Sequence, residues 1–226
     1  QAGTVAVRKR FERGLFFRFN YTFGKSIDTA SGLNYAGDGG FASAQDARNL
    51  KSERGRSDFD IRHVASLNFS YELPFRRSVL VRGWQLAGTG RFYSGQPFTP
   101  QLSNGNISQG EPTRPDRISH GSVPNPKPER WYDVTAFPLV PLSAFRFGNS
   151  GRNILDGPGY QGLNLALSRR FRLGERADLQ FRWEGFNVTN HTNFRLPNVN
   201  VDAANAATIT SAQAARVLQF GLRARF

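Results

Sequence analysis

The stretch FFRFNYTFG, Phe16–Gly24, alternates residue by residue. Phe17, Phe19, Tyr21 and Phe23 fall on one side of an extended chain. Arg18, Asn20, Thr22 and Gly24 fall on the other, because successive side chains of a strand point to opposite faces. A helix would scatter the four aromatics around its axis. The segment reads as a strand with one aromatic face and one polar face.

The pattern recurs. In ASLNFSYEL, Ala65, Leu67, Phe69, Tyr71 and Leu73 oppose Ser66, Asn68, Ser70 and Glu72. In WQLAGTGRFY, Trp84, Leu86 and Phe92 oppose Gln85, Thr89 and Arg91. Leu163, Leu165 and Leu167 oppose Asn164, Ala166 and Ser168, and Leu179, Phe181 and Trp183 oppose Asp178, Gln180, Arg182 and Glu184. The stretch LQFGLRARF sets Leu218, Phe220, Leu222, Ala224 and Phe226 against Gln219, Gly221, Arg223 and Arg225. A weaker first strand runs through Val5, Val7 and Phe11.

These strands approach the roughly 9–11 residues that a tilted strand needs to cross a bilayer. A β-sandwich also alternates, but its strands are shorter, about 5–6 residues. Its polar face rarely carries so many mid-strand charges beside so aromatic a partner face. In a barrel the charges have a place in the lumen, since Arg or Lys facing lipid at mid-membrane costs about 2–4 kcal/mol. The pattern therefore assigns Phe17, Phe19, Tyr21, Phe23, Leu67, Phe69, Tyr71, Leu163, Leu165, Leu167, Leu179, Phe181 and Trp183 to lipid.

The connections alternate too. Glu12–Gly14, Pro74–Gly83 and Arg172–Arg176 are short, and part of the second can extend its strands. Ser26–Ile61, Ser94–Leu163 and Asn190–Val217 are long. Short turns at one rim and long loops at the other are the asymmetry of outer-membrane barrels. The fold class expected is all-β: about seven strands of an antiparallel up-and-down transmembrane barrel with long extracellular loops. Bacterial barrels have even strand numbers. An odd count, in a chain that opens on Gln1 and contains no Met, predicts further strands upstream. Phe11, Phe171 and Phe226, with Phe75 and Trp84 nearby, would form an aromatic girdle at the short-turn rim; plain turn chemistry is the alternative.

Composition narrows the function. The chain of 226 residues has no Cys, so no disulfide or thiolate chemistry is available. There are 30 Lys and Arg against 17 Asp and Glu, a net charge of +13. The cations are spread along the length rather than gathered as a nucleic-acid footprint, so no nucleic-acid partner is expected. Mean hydropathy is −0.48, and no apolar run is long enough for a transmembrane helix. His63, His120 and His191 lack metal-ligand spacing, and no nucleophile elbow, phosphate loop or zinc motif is present. Neither an enzyme nor a cofactor is expected.

GDGG (Gly37–Gly40) is a loop breaker. DARNLKSERGRSDFD (Asp46–Asp60) lacks the spacing of a calcium loop and reads as a solvated loop. In the proline-rich segment Arg114–Phe137, Trp131, Tyr132 and Phe137 either stack on a sugar or other rigid ligand or pack the loop onto the barrel rim. Arg18, Arg91, Arg182 and Glu184 either line a substrate path or pair with one another or with a plug.

Several segments together resemble a known family: KRFERGLFFRFNYTFGKSID (Lys9–Asp28), SDFDIRH (Ser57–His63), YELPF (Tyr71–Phe75), GWQLAGTGRFYSGQPFTP (Gly83–Pro100), RWYDVTAF (Arg130–Phe137), FGNSGRNILDGPGY (Phe147–Tyr160), FRLGERADLQFRWEGFNVTNHTNF (Phe171–Phe194) and ITSAQAARVLQFGLRARF (Ile209–Phe226). In this order they resemble the C-terminal part of the barrel of TonB-dependent outer-membrane receptors. More narrowly, they are similar to Oar-like receptors that carry an N-terminal carboxypeptidase-regulatory-like domain. Trp183-Glu184-Gly185 departs from the family's usual pair of aromatics.

The resemblance implies a barrel of roughly 22 strands in the outer membrane of a Gram-negative bacterium. Lipid and lipopolysaccharide would surround it, and a plug coupled to TonB, ExbB and ExbD would fill it. The cargo would be a bulky nutrient such as a glycan, peptide or metal chelate. Leu218, Phe220, Leu222, Ala224 and Phe226 resemble the signal read by the BAM assembly machinery. A plug-less porin or adhesin barrel is the alternative, followed by a soluble basic β module that binds nucleic acid or glycan.

Overall fold

The computed structural model describes residues 1–31, 44–75, 82–103, 113–174 and 176–226. In chain order the strands are β1 (Ala2–Glu12), β2 (Leu15–Gly24), β3 (Ile27–Asp28), β4 (Gly55–Arg56), β5 (His63–Glu72), β6 (Trp84–Tyr93), β7 (Pro97–Phe98), β8 (Ser122–Lys127), β9 (Arg130–Tyr132), β10 (Leu155–Asp156), β11 (Tyr160–Arg172), β12 (Asp178–Phe186) and β13 (Val217–Arg225). Seven of them form one sheet in the order β1-β2-β5-β6-β11-β12-β13. Every pairing in it is antiparallel. Three two-stranded ladders, β3-β4, β7-β10 and β8-β9, lie in the long connections.

The ladder brings the alternating residues into register. Phe17 faces Phe69, Phe19 faces Leu67 and Tyr21 faces Ala65. Leu165 faces Gly88 and Leu167 faces Leu86, while Trp183 faces Phe220 and Phe181 faces Leu222. A one-residue slip in any pair would exchange the two faces, so the continuity of the apolar face across seven strands is what holds the register. Gly88 lies on that face because the Phe69 ring occupies its side-chain space, 2.5 Å from where a Cβ would sit.

The rows of paired residues run obliquely. One row starts at Lys9 near the turn end of β1 and passes through Phe17, Phe69, Gly88, Leu165 and Gly185. It ends at Leu218, at the loop end of β13. This steady climb is the stagger that tilted barrel strands require. The sheet is not closed, and β1 and β13 are its edges.

The tightest turn is Arg13–Gly14, where both residues have positive φ (52° and 78°) between the paired Glu12 and Leu15. Two positive φ angles define the type I′ hairpin, whose twist matches that of the strands it joins. Gly174, φ 95°, lies between β11 and β12, and Gly83, φ 79°, precedes β6. Residues 76–81 of the second short connection and the GDGG stretch lie outside the described residues.

At the rim, Trp84 and Phe171 meet edge to face at 6.4 Å, while Phe11, Phe75 and Phe226 are exposed. A register irregularity between Lys9 and Glu12 falls on Phe11. β11 begins at Tyr160, earlier than the alternation alone suggests.

The buried apolar residues lie in the long connections, not under the sheet. Phe98, Leu102, Tyr132, Ala136, Phe137, Val140, Leu155, Val201 and Ala207 make one cluster, drawn from the β6–β11 and β12–β13 connections. Backbone bonds knit the two connections together: Gln101 N donates to Val199 O, Trp131 N to Ala207 O and Ile209 N to Pro128 O. The long loops therefore form a packed layer over one end of the sheet.

Gly14→Val forces a β-branched residue into left-handed backbone, and a Cβ there would sit 3.1 Å from that of Glu72. It should cost about 1–2 kcal/mol, read as a lower urea midpoint for the detergent-folded protein.

Candidate functional site

The polar face of the sheet carries arginines on most strands. Arg8 and Arg18 are direct cross-strand partners between β1 and β2. In the next row, Arg91 of β6 is flanked by Ser66 and Gly162. Arg170, Arg172, Arg182, Arg223 and Arg225 occupy β11 to β13 on the same face, with Asp178 and Glu184 among them. Arg182 Nη2 donates to Glu184 at 2.5 Å, and Gln219 donates to the other Glu184 oxygen at 2.6 Å. Arg170 lies 3.8 Å from Asp178. Of the four charges expected to line a path or to pair, Arg182 and Glu184 pair with each other. At the short-turn end, Glu72, Gln85, Ser168, Arg170 and Gln180 border a concavity of about 910 Å³.

Polar exceptions interrupt the apolar face only near strand ends: Lys9, His63, Gln161 and Arg169. Arg169 is 5 % exposed. Its guanidinium lies 4.0 Å from the Phe171 ring centroid and 5.7 Å from that of Trp84, which lets a cation sit among aromatics.

In the loop layer, the segment Asp46–Asp60 is not the solvated loop its charge suggests. Glu53 is 2 % exposed and Asp60 is equally buried. Arg114, also buried, donates to both Glu53 oxygens, at 2.7 and 3.0 Å. Arg152 donates to Glu53 O at 3.0 Å, to Ser31 Oγ at 2.8 Å and to the Asp28 carboxylate. Arg56 joins Asp60 (2.8 Å) to Asp156 (2.6 Å). Asn153, at φ 54°, bonds Thr99, Arg56 O and Asp58.

Burial alone would raise the carboxyl of Asp60, but bonds from Ser26 N and from Arg56 outweigh it and hold the group below its ordinary 3.8. Asp28 is lowered in the same way: burial opposes, and Ser57 and Arg152 prevail. The bonds from Arg114 and Arg152 to Glu53 and Asp28, and from Arg56 to Asp156, clamp the first long connection onto the second.

The three loop aromatics behave differently from one another. Tyr132 and Phe137 are each 1 % exposed. They pack together at 6.1 Å, and Tyr132 Oη donates to Asn198 O at 2.9 Å. Their rings are spent on the core of the layer and are not offered to a ligand. Trp131 stays half-buried, with Nε1 donating to Asp156 O at 2.9 Å. His63 bonds Tyr21 Oη at 2.8 Å, and His120 bonds Arg117 at 3.3 Å. Among the described residues no three His, Asp or Glu gather as for a metal. On β13, Leu218, Phe220, Leu222 and Ala224 share the apolar face, and Phe226 follows the strand fully exposed.

A sequence model of the family described as "Outer membrane beta barrel domain" matches residues 1–219. The chain belongs to that family. No curated protein matches it, and no solved structure does either.

Arg114→Met leaves Glu53 buried and unpaired, which should cost about 3–5 kcal/mol. Amide hydrogen exchange in residues 44–62 should accelerate accordingly, and pairing the change with Glu53→Leu should restore much of the protection. Asp28 and Asp60 have lowered folded-state pKa values. Their stabilisation is therefore complete above 3.8, declines as pH falls through that value and vanishes below the folded values. An acid-active protease should accordingly leave this segment intact above about pH 4 and cut it increasingly below.

Proposed function

We propose that this outer-membrane β-barrel protein takes up a bulky nutrient such as a glycan, peptide or metal chelate, driven through TonB. The seven-stranded sheet is part of the wall of a larger barrel, and the packed connections are its extracellular layer. The polar face lines the lumen and the apolar face meets lipid.

The observation that carries this reading is the sheet itself. Its polar exceptions on the apolar face are confined to strand ends, its rows are staggered, and both of its edges are open. An open edge in hydrocarbon leaves backbone groups unpaired at several kcal/mol each, so β1 and β13 require partner strands. Arg169 fits the same picture, because a cation on the lipid side near the interface costs only about 0–1 kcal/mol. The order of the motifs, which resembles that of TonB-dependent receptors along nearly the whole chain, supports active uptake over passive diffusion.

A growth screen over carbon and iron sources tests the reading. A strain deleted for the full-length protein should fail on the same nutrient as a strain lacking TonB, and the double deletion should grow no worse than either. A defect that persists in the receptor deletion but is absent without TonB would identify a passive porin instead.

A further inference from the structure

The net charge of +13 is not spread evenly over the molecule. In the loop layer, carboxylates are matched to arginines: Glu53 with Arg114, Asp28 with Arg152, Asp60 with Arg56 and Asp116 with Arg146. On β11 and β12 the polar-face acids Asp178 and Glu184 are matched as well. Higher on the polar face stand Arg8, Arg18 and Arg91; Arg172, Arg223 and Arg225 lie toward the short turns, beside the paired acids. Among the described residues no carboxylate lies within ion-pair distance of Arg8, Arg18 or Arg91.

Their placement adds to the imbalance. Arg8 and Arg18 are opposite each other in the ladder, and like charges in that position destabilise a sheet. Row neighbours Asn68 and Thr89 are neutral. Arg18 donates only a long 3.4 Å bond to Asn20. Three arginines in two adjacent rows, without counter-charge among the described residues, concentrate anions along this face.

Just above Arg91, Tyr93 and Tyr160 stack at 4.8 Å with their planes 10° apart. The Tyr160 ring lies across Gly162, the residue beside Arg91. A small cavity of about 100 Å³ at this level is also lined by Phe194, Arg195 and Gln213. Cations and aromatic surface thus continue from the base of the loop layer onto the wall.

We propose that Arg8, Arg18 and Arg91, with the Tyr93–Tyr160 pair above them, form a binding track for an anionic solute bearing carboxylate or phosphate groups. This rests on the uptake reading and supplies its substrate class: the cargo is an anion. The continuity with the loop layer favours a solute entering from outside over carboxylates of a plug.

The test uses the full-length protein in detergent micelles at about 50 mM salt, where charge is weakly screened. The probe is a trisulfonated pyrene dye, read by fluorescence anisotropy. Saturable binding should be displaced by inorganic pyrophosphate or by citrate, and the stronger competitor tells phosphate from carboxylate; maltose should not compete. R18Q and R91Q should each weaken the dye by about ten-fold, and R18K should restore it. Each variant is checked for the heat-dependent gel mobility of a folded barrel. Arg91 has only Ser66 and Gly162 as row neighbours, so R91Q carries the test if R18Q fails to fold.

Absence of saturable binding, or equal binding by the R8Q/R18Q/R91Q variant, would overturn the proposal. So would binding that appears only after an N-terminal plug is deleted, since the arginines would then serve the plug. The assay contains no TonB. A TonB-independent growth phenotype with intact dye binding would therefore remove the uptake reading alone.

Discussion

Backbone pairing is the constraint on which the rest of this molecule depends. A strand surrounded by hydrocarbon has no water to satisfy its amides and carbonyls, so each must find a partner in the next strand. The seven-stranded antiparallel ladder meets that demand along its strands, apart from the irregularity between Lys9 and Glu12 and the outer edges of β1 and β13. Once the ladder is set, the period of two sends every second side chain to the same side, and the two faces become two solvents. The oblique rows from Lys9 to Leu218 follow from the same ladder wound onto a cylinder.

This arrangement explains where the core is. A sheet between lipid and lumen has no interior of its own to fill, and its large side chains stay partly exposed. Close packing appears instead where the chain leaves the sheet, around Phe98, Tyr132, Phe137 and Leu155. The layer is fastened by arginine–carboxylate pairs such as Glu53–Arg114 and Asp28–Arg152, whose partners stand far apart in the chain. Such pairs contribute little net stability compared with a well-packed apolar alternative, yet each is costly to break. They therefore hold the first connection in one position against the second. They absorb carboxylates of the loop layer, while Arg8, Arg18 and Arg91 on the wall have none within ion-pair distance among the described residues.

Much of the wall was legible in the residues. Alternation named the strands and their two faces, and Glu12–Gly14 was read as a short connection, because these signals are local: one period and a few consecutive residues. The loop layer was not legible. Asp46–Asp60 carries the composition of a solvated loop, and nothing within it announces that Glu53 will be buried against Arg114 or that Asp60 will accept from Ser26 N. Tyr132 and Phe137 posed a similar ambiguity, since an aromatic in a proline-rich loop has the same local signature whether it packs or binds. Arg169 was hidden for another reason. By alternation it belongs to the apolar face, where a cation is unexpected until Trp84 and Phe171 are seen around it.

The sequence by itself determined that the chain forms long two-faced strands joined by alternately short and long connections, because side-chain direction along a strand depends only on position. Only the tertiary structure decided which charges are neutralised and which remain. Ion pairing depends on distances between residues such as Asp28 and Arg152, which no local pattern relates, and those distances exist only once the loops have packed.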